Sequence, residues 1–358
     1  MGESALGKTL TFRRGVHPHE GVGEKRATGA KPIEAVPAPA LAAIPLLQHA
    51  GAPCKPLVKP GERVCLGQKI GEADGFVSAA VHAPVSGKVK AIQPRFIAGG
   101  RRVSSVIIEN DGLDEWDASI APVENADDPA QLLAAIRAAG VVGMGGAAFP
   151  THVKLSPPKD KPIDTVILNG AECEPFLSAD HRVMLEEADA VLDGLRLAAK
   201  IVGAKALYIG VEDNKPDAAE TLQKAAGGDA RVFTVQAKYP QGSEKQLIQA
   251  LTGRRVPSGG LPMDAGCVVI NASTAAAISR AVREGRPLIE RALTVDGEVG
   301  ESKNLRVRIG TEIGAVIAFC GGAKEGVNKV VLGGPMMVQC AFDLQTPVTK
   351  GVSGILLF

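Results

Sequence analysis

The run Gly143-Met144-Gly145-Gly146-Ala147-Ala148-Phe149-Pro150-Thr151-His152-Val153-Lys154 places several kinds of chemistry side by side. Its glycines let backbone N–H groups approach a ligand, and successive N–H groups of this kind form a concavity that binds anions. Lys154 adds a point charge suited to phosphate, Phe149 a flat face, and Pro150 a fixed turn. The run is not G-x-x-x-x-G-K-[ST], and it follows a helical pattern instead of a strand, so neither common phosphate fingerprint applies. It reads as a cradle for the phosphate and ring of a nucleotide-like cofactor.

A cradle needs walls, and the chain that follows supplies them. Four apolar runs, 165–168, 206–210, 231–235 and 267–270, alternate with amphipathic segments at 182–202, 216–226, 244–252 and 274–283. This pattern makes a parallel sheet covered on both faces, with its strand ends gathered on the edge where ligands bind. Those ends read Asn169-Gly170-Ala171-Glu172-Cys173-Glu174-Pro175, Glu212-Asp213-Asn214, Tyr239-Pro240-Gln241-Gly242-Ser243-Glu244-Lys245 and Asn271-Ala272-Ser273-Thr274. Asn169 and Asn271 suit a heterocycle edge or a ribityl chain, while Glu172, Glu174 and Glu244 suit ribose hydroxyls. In a β-run, Glu172 and Glu174 would face opposite ways. Asn214 and Ser273 serve equally well as helix caps. With no Ser-His-Asp set and no paired-carboxylate hydrolase pattern, the residues suit flavin mononucleotide (FMN) with a second nucleotide stacked against it.

Other units surround this Rossmann-like domain, 127–286, which Asp128-Pro129 opens with a capped helix that Gly140 closes. Residues 1–30 read as an irregular arm, with His17 and His19 in a solvated loop. Residues 31–126 are short strands with turns at Lys59-Pro60-Gly61-Glu62 and Ala83-Pro84-Val85-Ser86-Gly87. They suggest an all-β barrel-sandwich hybrid that resembles lipoyl or biotinyl carriers but lacks the modified-lysine hairpin. Its acidic tail, 111–128, holds Trp116 and reads as a linker. Residues 287–358 return to strands around one helix at 312–320, a compact β-grasp (SLBB-like) module. The fold class is therefore α/β with all-β flanking units.

Composition removes other functions. With 40 basic and 39 acidic residues among 358, and 3% aromatics, no field or stacking surface favours nucleic acid. The amino end has no apolar signal core, Pro37, Pro39 and Pro45 break the most apolar early segment, and no run reaches membrane-span length. A soluble cytoplasmic protein that docks on a membrane partner is expected. The six cysteines form no C-x-x-C pair and have no histidine at ligand spacing, so no metal site is expected.

Taken together, residues 143–154, Asn169-Gly-Ala-Glu-Cys-Glu-Pro175, Tyr239-Pro-Gln-Gly-Ser-Glu-Lys245, Gly253-Arg-Arg-Val-Pro-Ser258, Phe12-Arg-Arg-Gly-Val-His-Pro18 and Val81-His-Ala-Pro-Val-Ser-Gly87 resemble the RnfC family. These are subunits of the Rnf ion-translocating electron-transport complex. More distantly the motifs resemble the FMN- and NADH-binding subunit of respiratory complex I. The resemblance implies that Gly143, Gly145, Gly146, Ala147 and Lys154 hold the FMN phosphate and ribityl chain. It implies that Asn169, Glu172, Gly242, Glu244, Asn271 and Ser273 line the flavin. Phe149, Glu174 and Glu244 would meet NADH. Met144 and Ala171 stand where the complex I relative has an arginine and an acid, so polar contacts are not carried over there. RnfC relatives bear two Cys-ligated [4Fe–4S] clusters after the β-grasp module. This sequence stops at an apolar strand, Gly354-Ile-Leu-Leu-Phe358, and the full-length protein is expected to continue into them.

The implied activity is reversible hydride transfer between NAD(H) and FMN, with single electrons passed to iron–sulfur carriers. The implied place is the cytoplasmic side of the cell membrane, beside the other Rnf subunits. Two other resemblances stay open at the level of sequence: a flavin-dependent cobalamin reductase of the same superfamily, and a non-catalytic scaffold like NqrA.

Overall fold

The computed structural model describes residues 9–17, 24–337 and 339–358. His19, Gly21 and Gly23 of the expected loop lie outside them. The start of the chain is laced into the rest: Leu10 bridges Val235 in parallel and Val16 bridges Tyr239 in antiparallel sense. Strand β1 (Ile33–Ala35) then runs to the carboxyl-terminal sheet instead of the barrel expected around it.

The barrel follows as β2 (Leu41–Pro45), β3 (Lys55–Pro56), β4 (Arg63–Val64), β5 (Lys69–Glu72), β6 (Val81–His82), β7 (Gly87–Phe96) and β8 (Arg102–Asn110). Its two sheets, ordered β2-β8-β7-β4 and β3-β5-β6, close on Ile44, Val64, Ile70, Val81, Val89, Val106 and Ile108. Gly87 is required where its turn enters β7. Its φ is +149°, and a Cβ there would stand 2.0 Å from the Glu109 carbonyl oxygen. The acidic tail is pinned to this barrel, since Trp116 bridges Leu66 and lies under Arg286.

The central domain opens with α1 (Pro129–Ala138), where the Asp128 carboxylate accepts from the Ala130 N–H at 2.9 Å. After α2 (Thr151–Lys154) come β9 (Thr165–Gly170), α3 (Ala179–Glu186), α4 (Ala188–Val202), β10 (Ala206–Glu212), α5 (Pro216–Ala226), β11 (Arg231–Val235), α6 (Glu244–Thr252), β12 (Cys267–Asn271) and α7 (Ala272–Arg283). The four strands are parallel and ordered β11-β10-β9-β12. The chain therefore steps one way from β9 and returns to its other side for β12, and the reversal point lies between those two strands. Open sheets bind ligands at this place.

Helices cover both faces. On α4, Val191, Leu192, Leu195 and Ala198 are wholly buried, each Leu or Val worth about 1.5–3 kcal/mol. A Cβ on Gly194 would meet the Ala275 carbonyl oxygen at 1.8 Å, so only glycine lets α4 lie this close to α7. The helix expected across 182–202 is in fact two. The chain breaks at Glu187 (φ −131°, ψ 30°), whose carboxylate is gripped by Arg280 and Arg306. An ion pair thus overrides the periodicity that a single helix would need.

The last unit comprises β13 (Glu290–Gly297), β14 (Lys303–Arg308), α8 (Ile313–Phe319), β15 (Val330–Leu332) and β16 (Gly354–Leu357), with sheet order β1-β14-β13-β16-β15. Ile313, Val316 and Ile317 seat α8 on this sheet, giving the β-grasp arrangement expected.

Candidate functional site

Asn169, last but one in β9, and Asn271, last in β12, flank the reversal point and are register partners. The glycine-rich loop lies against them. Its base is closed by the Gly143 N–H donating to the Phe149 carbonyl at 2.8 Å, and by a bridge between Val142 and Pro150. The Met144 N–H donates to Thr274 Oγ1 at 2.9 Å, which fixes the loop to the first turn of α7. From Gly145 to Phe149 the backbone N–H groups donate to no acceptor among the described residues. Gly145, Gly146 and Ala147 are exposed. Gly146 (φ +153°) has nothing within 4 Å of where a Cβ would stand, whereas a Cβ on Gly145 would come within 3.2 Å of the Asn271 side chain. Ala148 holds a left-handed φ of 50°, a conformation that helps gather N–H groups into an anion-binding concavity.

The expected wall residues are all near this edge, and the structure gives them unequal duties. Asn169 Nδ2 donates to the Gly242 carbonyl at 2.7 Å, joining β9 to the loop before α6. Asn271 Oδ1 caps α7 at the Thr274 N–H, and its Nδ2 donates to Asp180. Ser273 Oγ donates to the other oxygen of the same carboxylate. Lys154 Nζ lies on Glu244 and donates to the Val269 carbonyl at 2.9 Å, so Lys154 and Glu244 form one unit of nearly zero charge at the rim. Phe149 is half-buried beside the free N–H groups.

The two glutamates leave the crevice. Glu172 sits in a turn (φ 50°), and its carboxylate accepts from the Asp180 N–H at 2.7 Å and the His181 N–H at 3.2 Å, capping α3. Burial raises its pKa above the ordinary glutamate range, against the pull of Lys25. Glu174 turns to the β-grasp module. Its carboxylate accepts from the Met336 N–H at 2.8 Å, and a Cβ on Gly334 would come within 2.3 Å of it. They do part company as expected, but through a turn and not through β-alternation. Met144 (3% exposed) and Ala171 (0%) are buried, so neither position presents an exposed side chain to the crevice.

Sequence reasoning missed Asp180, the acid on which Asn271 and Ser273 both converge. The available signal was its place two residues after Ser178, in the first turn of a helix. It also missed a buried ionic group under the ends of β9 and β10. Lys215 Nζ donates to Glu212 Oε2 at 2.9 Å, to the Ala171 carbonyl at 2.7 Å and to Asn214 Oδ1 at 2.8 Å. Lys25, reaching in from the arm, donates to the Glu172 carbonyl. Burial, helped by Lys215, lowers the Lys25 ammonium to about 8, and burial pushes the Cys173 thiol up to about 11.

Comparison with known proteins accords with this geometry. Residues 136–280 match the family described as the Nuo51 FMN-binding domain, residues 10–113 the RnfC barrel sandwich hybrid domain, and residues 293–339 the SLBB domain. The chain is 51% identical over 352 residues to the C subunit of the Na(+)-translocating ferredoxin:NAD(+) oxidoreductase complex of Acetobacterium woodii. That match spans 97% of this chain and 79% of the relative. The C subunit of the proton-translocating ferredoxin:NAD(+) oxidoreductase complex of Clostridium ljungdahlii is 49% identical over 350 residues, spanning 97% and 76%. The C subunit of the ion-translocating oxidoreductase complex of Rhodobacter capsulatus is 42% identical over 358 residues, spanning 98% and 68%. Among solved structures, the NAD+-reducing [NiFe]-hydrogenase in its H2-reduced state shares the fold. Its TM-score is 0.53 over 66% of this chain and 49% of that chain, at 21% identity.

Proposed function

Since the chain belongs to the family of C subunits of ion-translocating ferredoxin:NAD(+) oxidoreductase complexes, we propose that it is their peripheral NADH- and FMN-binding subunit. In this role it exchanges electrons between NAD(H) and iron–sulfur carriers through FMN, on the cytoplasmic face of the membrane and in contact with the other subunits. None of the described helices is long and apolar enough to cross a membrane, which suits a subunit held there by its partners.

The observation that carries the reading is the row of free N–H groups from Gly145 to Phe149 at the strand-reversal point. The residues present fit FMN: an open concavity of donors for a phosphate, beside two asparagines fixed at adjoining strand ends. In this reading Gly143, Gly145, Gly146 and Ala147 take the phosphate and ribityl chain. Asn169, Gly242, Asn271 and Ser273 wall the ring, and the Lys154–Glu244 unit bounds the rim. Glu172 acts one step back. By capping α3 it holds Asp180, and Asp180 holds Asn271 and Ser273. Phe149 and Glu174 receive the nicotinamide nucleotide, and for Glu174 that entails release from Met336. Bound FMN supplies hydride acceptance and one-electron release, and the protein supplies orientation and electrostatics.

The test is direct. Purified chain supplied with FMN is expected to retain a flavin absorption spectrum, which NADH bleaches under anaerobic titration. A colourless protein that takes up no FMN would sink the reading. A flavoprotein that NADH leaves unbleached would sink the nicotinamide half of it.

A further inference from the structure

Two cations are buried behind the glycine-rich loop, and among the described residues no carboxylate lies within ion-pair distance of either. Lys350 is 1% exposed, and its Nζ donates to the Ala80 carbonyl of the barrel at 2.6 Å and to the Gly140 carbonyl at 2.7 Å. Arg291 is 2% exposed and donates to the Ala292 carbonyl and, at 2.7 Å, to the carbonyl of Lys350 itself. Burying an ammonium whose partners are all neutral is costly. The place where it is tolerated is therefore informative.

That place is the footing of the loop. Gly140 leads directly into Val141 and Val142, and Val142 pairs with Pro150 across the loop base. A Cβ on Gly351, next to Lys350, would stand 3.3 Å from Ala148 Cβ and 3.7 Å from the Gly146 carbonyl oxygen. The segment carrying Lys350 thus forms the floor beneath the free N–H groups. On the open rim Lys154 is neutralised by Glu244, and Arg291 feels the Asp180 carboxylate at a distance, which leaves Lys350 as the cation behind the loop that no carboxylate among the described residues offsets.

We propose that Lys350 is a positioning residue for the glycine-rich loop: its amine ties the loop base to the barrel, and its uncompensated charge biases the concavity toward a phosphate-bearing ligand over a neutral one. This rests on the reading that the loop holds FMN. The titratable groups facing Lys350 are Cys54, His49 and His82 of the barrel, with Arg291 reaching its carbonyl. Burial lowers His49 to about 4 and His82 well below the ordinary range, and raises the Cys54 thiol. Burial also lowers the Lys350 ammonium to about 7. Raising the pH through neutrality therefore removes this charge first, while the neutral amine keeps two N–H donors for the same two carbonyls. The brace and the charge separate along the pH axis.

The experiment titrates FMN and riboflavin into the full chain, following flavin fluorescence from about pH 6.5 to about pH 9, where the FMN phosphate is mostly doubly charged. FMN affinity is expected to fall about tenfold across this range, the order of effect of one cation acting through partly screened protein. Riboflavin affinity stays flat. Lys350→Met is expected to bind FMN weakly with no pH slope, and Lys350→Arg to hold FMN tightly throughout. The same FMN slope in Lys350→Met, or a riboflavin profile that follows the FMN profile, would overturn the inference. If the methionine variant does not fold, the arginine variant decides, and a wild-type slope in it is the overturning result. A wild-type chain that binds neither flavin overturns the functional reading and this inference together.

Discussion

Strand β9 has a crevice on each side of its carboxyl end, and the two are furnished in opposite ways. Toward β12 lie Asn169, Asn271 and a loop whose N–H groups await a partner. Toward β10 lie Glu172, Glu212, Lys215 and Lys25, where both ammonium groups are spent on Glu212, Asn214 and the carbonyls of Ala171 and Glu172. The strands are parallel on both sides, so strand chemistry does not make the difference. Topology does. Between β9 and β12 the crossover connections leave in opposite directions and hold the crevice open, while between β9 and β10 they follow one another and the strand ends need filling. Buried charge alone is therefore a poor guide to the ligand site here, because this ionic group spends its donors inside the protein.

Each side can be broken separately. The largest effect is expected for Lys215→Met, which leaves Glu212 buried (2% exposed) without its ion-pair partner; the cost is about 3–5 kcal/mol, read as a lowered midpoint in chemical denaturation. Next, Gly145→Val drives a branched side chain into Asn271 and should abolish FMN uptake by equilibrium dialysis, with stability changed by no more than about 1 kcal/mol since the loop is exposed. Retained FMN in that variant would remove the loop from the site. Asn271→Ala deletes the cap of α7 and one of the two hydrogen bonds to Asp180. It should cost about 1 kcal/mol by thermal unfolding and also loosen FMN, joining both sides of the comparison through α3. The last effect is a slope, visible only against pH. The folded chain releases the Lys25 proton near 8 and the unfolded chain near 10.5, so between those values the unfolded state binds more protons and stability rises with pH. Lys25→Met should lack that rise when denaturation midpoints are compared across this window.

Much of this was legible in the sequence because it obeys local rules. Asp128-Pro129 capped its helix, the helices at 216–226 and 244–252 began and ended where their periodicity placed them, and the polar strand ends all fell on one edge. The residues that escaped are those set by long-range partners. Glu187 breaks a helix because Arg280 and Arg306 hold it, Glu174 turns away because Met336 offers an N–H, and Lys25 reaches the sheet from a segment with no pattern of its own. Asp180 was hidden for the same reason, since its meaning lies in Asn271 and Ser273, some ninety residues later.

Strand β1 has a consequence for biosynthesis. Its partner β14 lies about 270 residues further along the chain, with Ile33 paired to Asn304. At roughly 5–20 residues per second, a ribosome needs on the order of 15 to 55 seconds to deliver that partner. Through this interval the barrel and most of the nucleotide domain can form, yet β1 stays without its partner until Asn304 and its neighbours have been made. An edge strand made early is thus stored without its sheet while about 270 later residues are added.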